Sequence, residues 1–329
     1  MTVQTRLKWT HAVAAMAMLM QLTGAAVAAA RPSAKVGVPA ADQFPLPKAC
    51  FNANGSFNQE NIVLEQKKRA ALIGEKLGVR FTVSETAHYL VFCNAGQEMT
   101  VAFREWCEPL YANLQRLLGM DPKERAWDGK CIVMLFNARQ EFLNYATQFD
   151  NLDASRWSAY YVAENSSTTY PVCMHMSFAA GGRPLKPLQD LFAHEGTHAF
   201  FRTYKGNVRL PLWLEEGLGE YMMVYNDATL RPTKRAPAEA VGLSGKSIAG
   251  LFEYPSTAVL TTEEYSVCYT LVDYLFSVSG PRTRTLIEAL KRKVPQDSAI
   301  QTSFGFKLAD LQERWRSSLR AETAEPRRR

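Results

Sequence analysis

The chain has 329 residues, 47% hydrophobic and 21% charged, with 38 Lys and Arg against 32 Asp and Glu for a net charge of +6. That balance excludes wholesale disorder, collagen-like repeats and a multispan membrane protein. Arg6, Lys8 and the terminal Arg327-Arg328-Arg329 carry most of the positive excess, so the body is close to neutral and shows no basic stripe suited to nucleic acid.

Residues 1–30 read as a signal peptide. Arg6 and Lys8 precede an apolar run from Ala12 to Met20, and Ala26-Val27-Ala28 and Ala28-Ala29-Ala30 both fit a small-x-small cleavage rule. Gln21, Thr23 and Gly24 break the run short of the roughly 20 apolar residues that spanning needs. The expectation is a secreted or periplasmic protein with no membrane association after cleavage. All six cysteines (Cys50, Cys93, Cys107, Cys131, Cys173, Cys268) lie beyond this segment. An even count in an exported chain predicts disulfide staples, and the lack of CxxC gives no support to a thiol-redox or all-cysteine zinc site.

Residues 31–47, rich in Pro, Ala and Gly, read as an extended leader. A charged helix is predicted over 61–77, closed by Gly78, then one long or two short strands over 79–93. Val101, Trp106, Leu110, Leu114 and Leu117 mark a helix over 97–118 that stops at Gly119. Residues 131–136 form a compact apolar run, hence a buried strand, followed by a short helix over 139–149. Residues 157–163 and 170–177 are strand-like. Helices are predicted over 188–204, 212–225, 263–278, 282–293 and 308–321, while 226–256 has little periodicity and reads as a long loop. The fold class is therefore α+β, a mixed sheet in the first half and helices in the second.

Leu188 to Phe201 reads LQDLFAHEGTHAFF and holds an HExxH at His194-Glu195-Gly196-Thr197-His198. On a helix, residues four apart lie about 40° apart, so both imidazoles can reach one metal ion while Glu195 lies beside the first. A catalytic zinc takes three protein ligands and an open position. Eighteen residues beyond His198 stands Glu216, within PLWLEEGLGEY. Glu216 and Glu220 share a helix face, whereas Glu215 points about 100° away. One of the two aligned carboxylates can bind the metal while the other receives the spare N–H of a ligand histidine.

HEGTH followed by the Glu of PLWLEEGLGEY resembles the gluzincin metallopeptidases, most closely exported bacterial peptidases of the peptidase MA-like kind. The resemblance is specific over 188–225 and weaker over 265–280 and 308–315. It implies a zincin-like fold with the metal helix beneath an edge strand. It also implies one zinc on His194, His198 and Glu216, with Glu195 as general base and Glu220 behind a ligand histidine. Gly196 and Gly219 replace the aliphatic residue and the Ala that are commoner there. Glycine costs about 1 kcal/mol in a helix interior, so close packing is expected at both.

The domain organisation expected is a catalytic domain over 48–320, with sheet and HExxH helix in 48–204, the helical part with the third ligand in 205–320, and a disordered tail over 321–329. The expected reaction is hydrolysis of a peptide or protein substrate. Zinc lowers the pKa of its bound water, Glu195 moves the proton, and a nearby group steadies the oxyanion. Tyr265 is the candidate donor, since it follows the capping-box pattern Thr261-x-x-Glu264 and similar proteins place a Tyr near this point. Tyr269 and His175 compete with it; His88 reads as structural. The strand over 170–177 is expected to be the edge strand above the metal helix, pairing with extended substrate. No motif for gripping a substrate α-amine is present, which favours internal cleavage. The alternatives are a zinc hydrolase of cell-wall or other non-protein substrates and a non-catalytic zinc-containing binding protein; an intact Glu195 speaks against the latter.

Overall fold

The structure, a computed structural model, describes residues 46–162 and 175–324. Its sheet has five strands: β1 (Thr82–Glu85), β2 (Tyr89–Cys93), β3 (Cys131–Phe136), β4 (Ala159–Val162) and β5 (His175–Ala179), in the order β1-β2-β3-β5-β4. β2, β3 and β5 run parallel, and β1 and β4 are antiparallel edges. The central strands are buried throughout because both faces are covered, and β2 and β3 are apolar along their whole length.

Side-chain alternation divides those strands between two cores. Tyr89, Val91, Cys131, Val133, Leu135, Met176 and Phe178 face the helices α2 (Gln97–Leu118) and α4 (Leu185–Thr203). Leu90, Phe92, Ile132, Met134 and Phe136 face the opposite way, toward α1 (Gln59–Leu77) and α3 (Arg139–Phe149). The helix ends follow local chemistry. The Asn58 side chain accepts from the Asn61 amide at the start of α1, and Gly78 and Gly119 close α1 and α2 in the left-handed conformation.

Three expectations are corrected here. β5 is not an edge, since it pairs with β3 on one side and β4 on the other, so the edge strand over the metal helix is β4. Apolar alternation reports burial but not position in the sheet. Residues 163–174, and so most of the expected 170–177 strand with Cys173, lie outside the described residues, as do the expected signal peptide, most of the expected leader and 325–329. Second, the expected loop contains α6 (Arg231–Ser244) between short 3₁₀ turns at Ala228–Leu230 and Ala249–Glu253. Its buried stripe is Arg235, Ala238, Val241 and Gly242, too weakly apolar to show a period. Third, the five described cysteines are all buried and packed as small apolar residues, with no disulfide among them.

The second half continues with α5 (Leu212–Asn226), α7 (Thr262–Val278), α8 (Gly280–Lys291), α9 (Gln296–Phe304, silent in the sequence) and α10 (Leu308–Ala324). α5 lies between α4 and α7. A Cβ on Gly217 would stand 2.4 Å from the Cys268 carbonyl oxygen, so glycine sets how closely α5 approaches α7. Lys291 Nζ donates to the carbonyls of Phe201, Arg202 and Val208 at 2.7, 3.1 and 2.6 Å, capping the C-terminal end of α4. Among the described residues no helix is long and apolar enough to cross a membrane.

Candidate metal centre

α4 is buried on every side from Leu191 to Phe201, and that stretch includes two imidazoles and a carboxylate. Buried polar groups persist only with partners, so the neighbouring elements must supply them. α5 does: its residues from Leu212 to Glu220 are also all buried, with three glutamates among them. His194 Nε2 and His198 Nε2 lie 2.9 Å apart, and Glu216 Oε2 stands 3.3 and 3.4 Å from them. A tetrahedral ion with bonds of about 2.0–2.1 Å separates its ligand atoms by about 3.3 Å, so the three atoms match the base of such a site. Two neutral nitrogens and one carboxylate oxygen are also a donor set that zinc accepts.

Glu220 Oε1 lies 3.4 Å from His194 Nδ1, on the far side of the ring from Glu216. Burial lowers the His194 pKa, yet Glu216 and Glu220 together raise it to about 10. Burial likewise opposes ionisation of Glu216, but the His198 charge and hydrogen bonds from both imidazoles hold its carboxyl well below the usual range. Divalent metal displaces protons from such a set.

Both glycines in the motifs serve close approach, as expected. A Cβ on Gly219 would lie 2.8 Å from His194 Nδ1, so its absence lets α5 rest against the ligand ring. A Cβ on Gly196 would strike Leu110 Cδ2 at 2.5 Å.

Around the triad, Glu195 is 1% exposed on α4. Tyr265 stands over His194, ring centroids 6.4 Å apart in an edge-on arrangement. Burial and then the Glu216, Glu220 and Glu195 carboxylates push its phenol far above the ordinary value, so it stays a protonated donor. The two alternative donors face elsewhere. Tyr269 is buried beside Asp273, Arg231 and Arg235. His175 lies on the other face of the sheet, its Nε2 2.9 Å from Asp150 Oδ2 and its ring against Tyr145. His88 is structural as expected: it pairs with Glu108 at 2.7 Å and stacks on Tyr111.

The chain from 189 to 321 matches the model of the Peptidase MA superfamily. Residues 189–321 form a Peptidase MA superfamily domain. The match begins just before the HExxH and runs through the third-ligand helix, so the family's metal triad falls on His194, His198 and Glu216. No curated protein matches the chain.

Sequence reasoning missed two neighbours of this peptidase site. Glu215 is buried and accepts a 2.7 Å hydrogen bond from Tyr161 of β4, whose ring stacks on His198. This ties the edge strand to the ligand helix. The signal was available: Leu212, Trp213, Leu214, Leu218, Met222 and Met223 surround α5 with apolar residues, leaving no solvated face for an acid. The second neighbour, Lys234, sits 2.5 Å from Glu220 and came from the stretch read as a loop.

Proposed function

We propose that the protein is an exported peptidase that cleaves peptide bonds internally, using one zinc per chain held by His194, His198 and Glu216. The observation that carries this reading is the convergence of three buried ligand atoms at tetrahedral spacing, with Glu195 next to one ligand and Tyr265 above it. Bound zinc would supply Lewis acidity, polarising the scissile carbonyl and lowering the pKa of a water.

The chain's own residues do the rest. Glu195 takes the proton of the attacking water as its oxygen bonds to the carbonyl carbon, then delivers that proton to the departing amine nitrogen. The Tyr265 phenol, kept neutral by its surroundings, donates to the oxygen that gains negative charge. β4 pairs within the sheet only along its β5 side among the described residues, so its other side suits an extended peptide backbone. Tyr161 holds this strand at a fixed height over His198. The charged start, apolar run and small-x-small motifs of residues 1–30 support export, and the lack of a motif for gripping an α-amine supports internal cleavage.

The test is a diverse quenched peptide library, cleaved by the mature protein with and without a chelator, beside Glu195→Gln. Cleavage within peptides, abolished by the chelator and reduced about 10²–10⁴-fold in Glu195→Gln with zinc still bound, is expected. A protein that holds one zinc and cleaves none of the library would refute the peptide reading.

A further inference from the structure

The acid behind His194 has a partner of its own. Glu220 is fully buried, one oxygen facing His194 Nδ1 at 3.4 Å and the other paired with Lys234 Nζ at 2.5 Å. Lys234 belongs to α6, and its backbone is held from α7. The buried Ser266 hydroxyl donates to the Lys234 carbonyl and accepts from the Ala238 amide at 3.1 Å. It is thus inserted into the turn that contains Pro237, a residue with no N–H to offer the helix. Ser266 directly follows Tyr265, so one stretch of α7 places both the phenol above the triad and the lysine behind it. Asp190, one turn before His194, is held by Lys186, which also pairs with Asp227 of the loop after α5 at 2.7 Å.

We propose that Lys234 is a positioning residue of the metal centre: it fixes Glu220 against the Nδ1 side of His194, and so aims Nε2 of that ring at the ion. The inference rests on the zinc reading above and goes beyond it. Metal bound at Nε2 requires the proton on Nδ1, and an ionised carboxylate there orients the ring and raises its basicity. A surface ion pair would contribute little. Glu220 is different, because it is fully buried and Lys234 holds the carboxylate oxygen that faces away from the ring, so removing Lys234 removes the contact that keeps the other oxygen turned toward His194. Lys234 touches no reacting atom, so its effect reaches the ion only through Glu220.

The experiment measures zinc affinity by competition with a chromogenic chelator, for the wild-type chain, Lys234→Met, Lys234→Arg, Glu220→Gln and the double variant Lys234→Met/Glu220→Gln. Visible spectra of the cobalt-loaded forms report the ligand geometry. Lys234→Met and Glu220→Gln are each expected to bind zinc about 10–100-fold more weakly and to shift the cobalt bands. Lys234→Arg is expected to recover most of the affinity. The double variant is expected to bind no more weakly than Glu220→Gln, because both changes act on one interaction. Lys234→Met that binds like the wild type, or losses that multiply in the double variant, would overturn the proposal. If Lys234→Met does not fold, Ser266→Ala is read instead, since it keeps the charge but releases the turn. A several-fold loss that vanishes beside Glu220→Gln supports the proposal, and unchanged affinity refutes it. A wild-type chain that binds no zinc would instead sink the underlying metal reading.

Discussion

The two faces of the sheet each bury a histidine with acids, and only one of them builds a metal site. On the α1–α3 face, His175 meets Asp150 at 2.9 Å, and the same carboxylate oxygen accepts from Tyr160 at 2.7 Å. Among the described residues these partners pair off side by side, and no group of three metal-ligating side chains forms there. On the α2–α4 face, two imidazoles four residues apart share one carboxylate from another helix, and all three ligand atoms aim at one point. A buried acid and a base can satisfy each other; three donors that converge call for a cation at their focus.

Replacing one histidine on each face tests that contrast most strongly. His198→Ala is expected to abolish zinc binding and cleavage, and zinc should no longer raise the melting temperature. In the wild type, zinc at 100 times its dissociation constant adds about 2.7 kcal/mol of stability. His175→Ala should keep one zinc and full cleavage but lower stability by about 1–3 kcal/mol, because a buried acid loses a partner. Calorimetry with metal analysis separates the two, and loss of zinc from His175→Ala would break the distinction.

Tyr265→Phe should lower kcat about 10²–10³-fold with KM and zinc content unchanged, as steady-state kinetics would show. An equal fall in Tyr269→Phe would move the oxyanion donor to the wrong side of α7. Gly219→Ala should destabilise the zinc-bound protein by about 1–3 kcal/mol and weaken zinc affinity, since the new methyl meets a ligand ring that cannot yield. Gly196→Ala should cost less, because the obstacle is the free end of Leu110.

The smallest effect concerns the third pair, His88 and Glu108. Burial opposes ionisation of Glu108, yet hydrogen bonds from His88 and Thr86 pull its carboxyl down to about 2. A carboxyl depressed in the folded state adds stability above its ordinary pKa and loses it as pH falls through the folded value. Chemical denaturation between about pH 4.5 and 2 should therefore show a shallower acid loss in Glu108→Gln than in the wild type. Identical slopes would remove this pair from the acid response.

Most elements were legible. The helices at 97–118 and 139–149 and the strand at 131–136 fall where periodicity and glycine stops place them, since each buries a broad apolar face. α6 was not legible, because its buried stripe is Arg235, Ala238, Val241 and Gly242 rather than a wide apolar face, with Gly242 set against Leu319 of α10. α9 was silent for a similar reason: Ala299, Ile300 and Phe304 are too few to establish a period. The metal ligands were legible because helix geometry turns a spacing of four into a shared face. Glu215 was missed as part of the site because its partner, Tyr161 of β4, is 54 residues away in the chain and meets it only when α5 docks.

By itself, then, the sequence determined the pieces whose physics is local: the helix carrying His194, Glu195 and His198, the helix carrying Glu216 and Glu220, and the glycines that mark their close approach. Within one helix, 3.6 residues per turn convert spacing into geometry without help from the rest of the chain. Tertiary structure alone decided which strand forms the edge, which of Tyr265, Tyr269 and His175 faces the triad, that Tyr161 binds Glu215, and that Lys234 stands behind Glu220. Those partners meet only after separate elements dock, and periodicity records that a side chain is buried without recording what it is buried against.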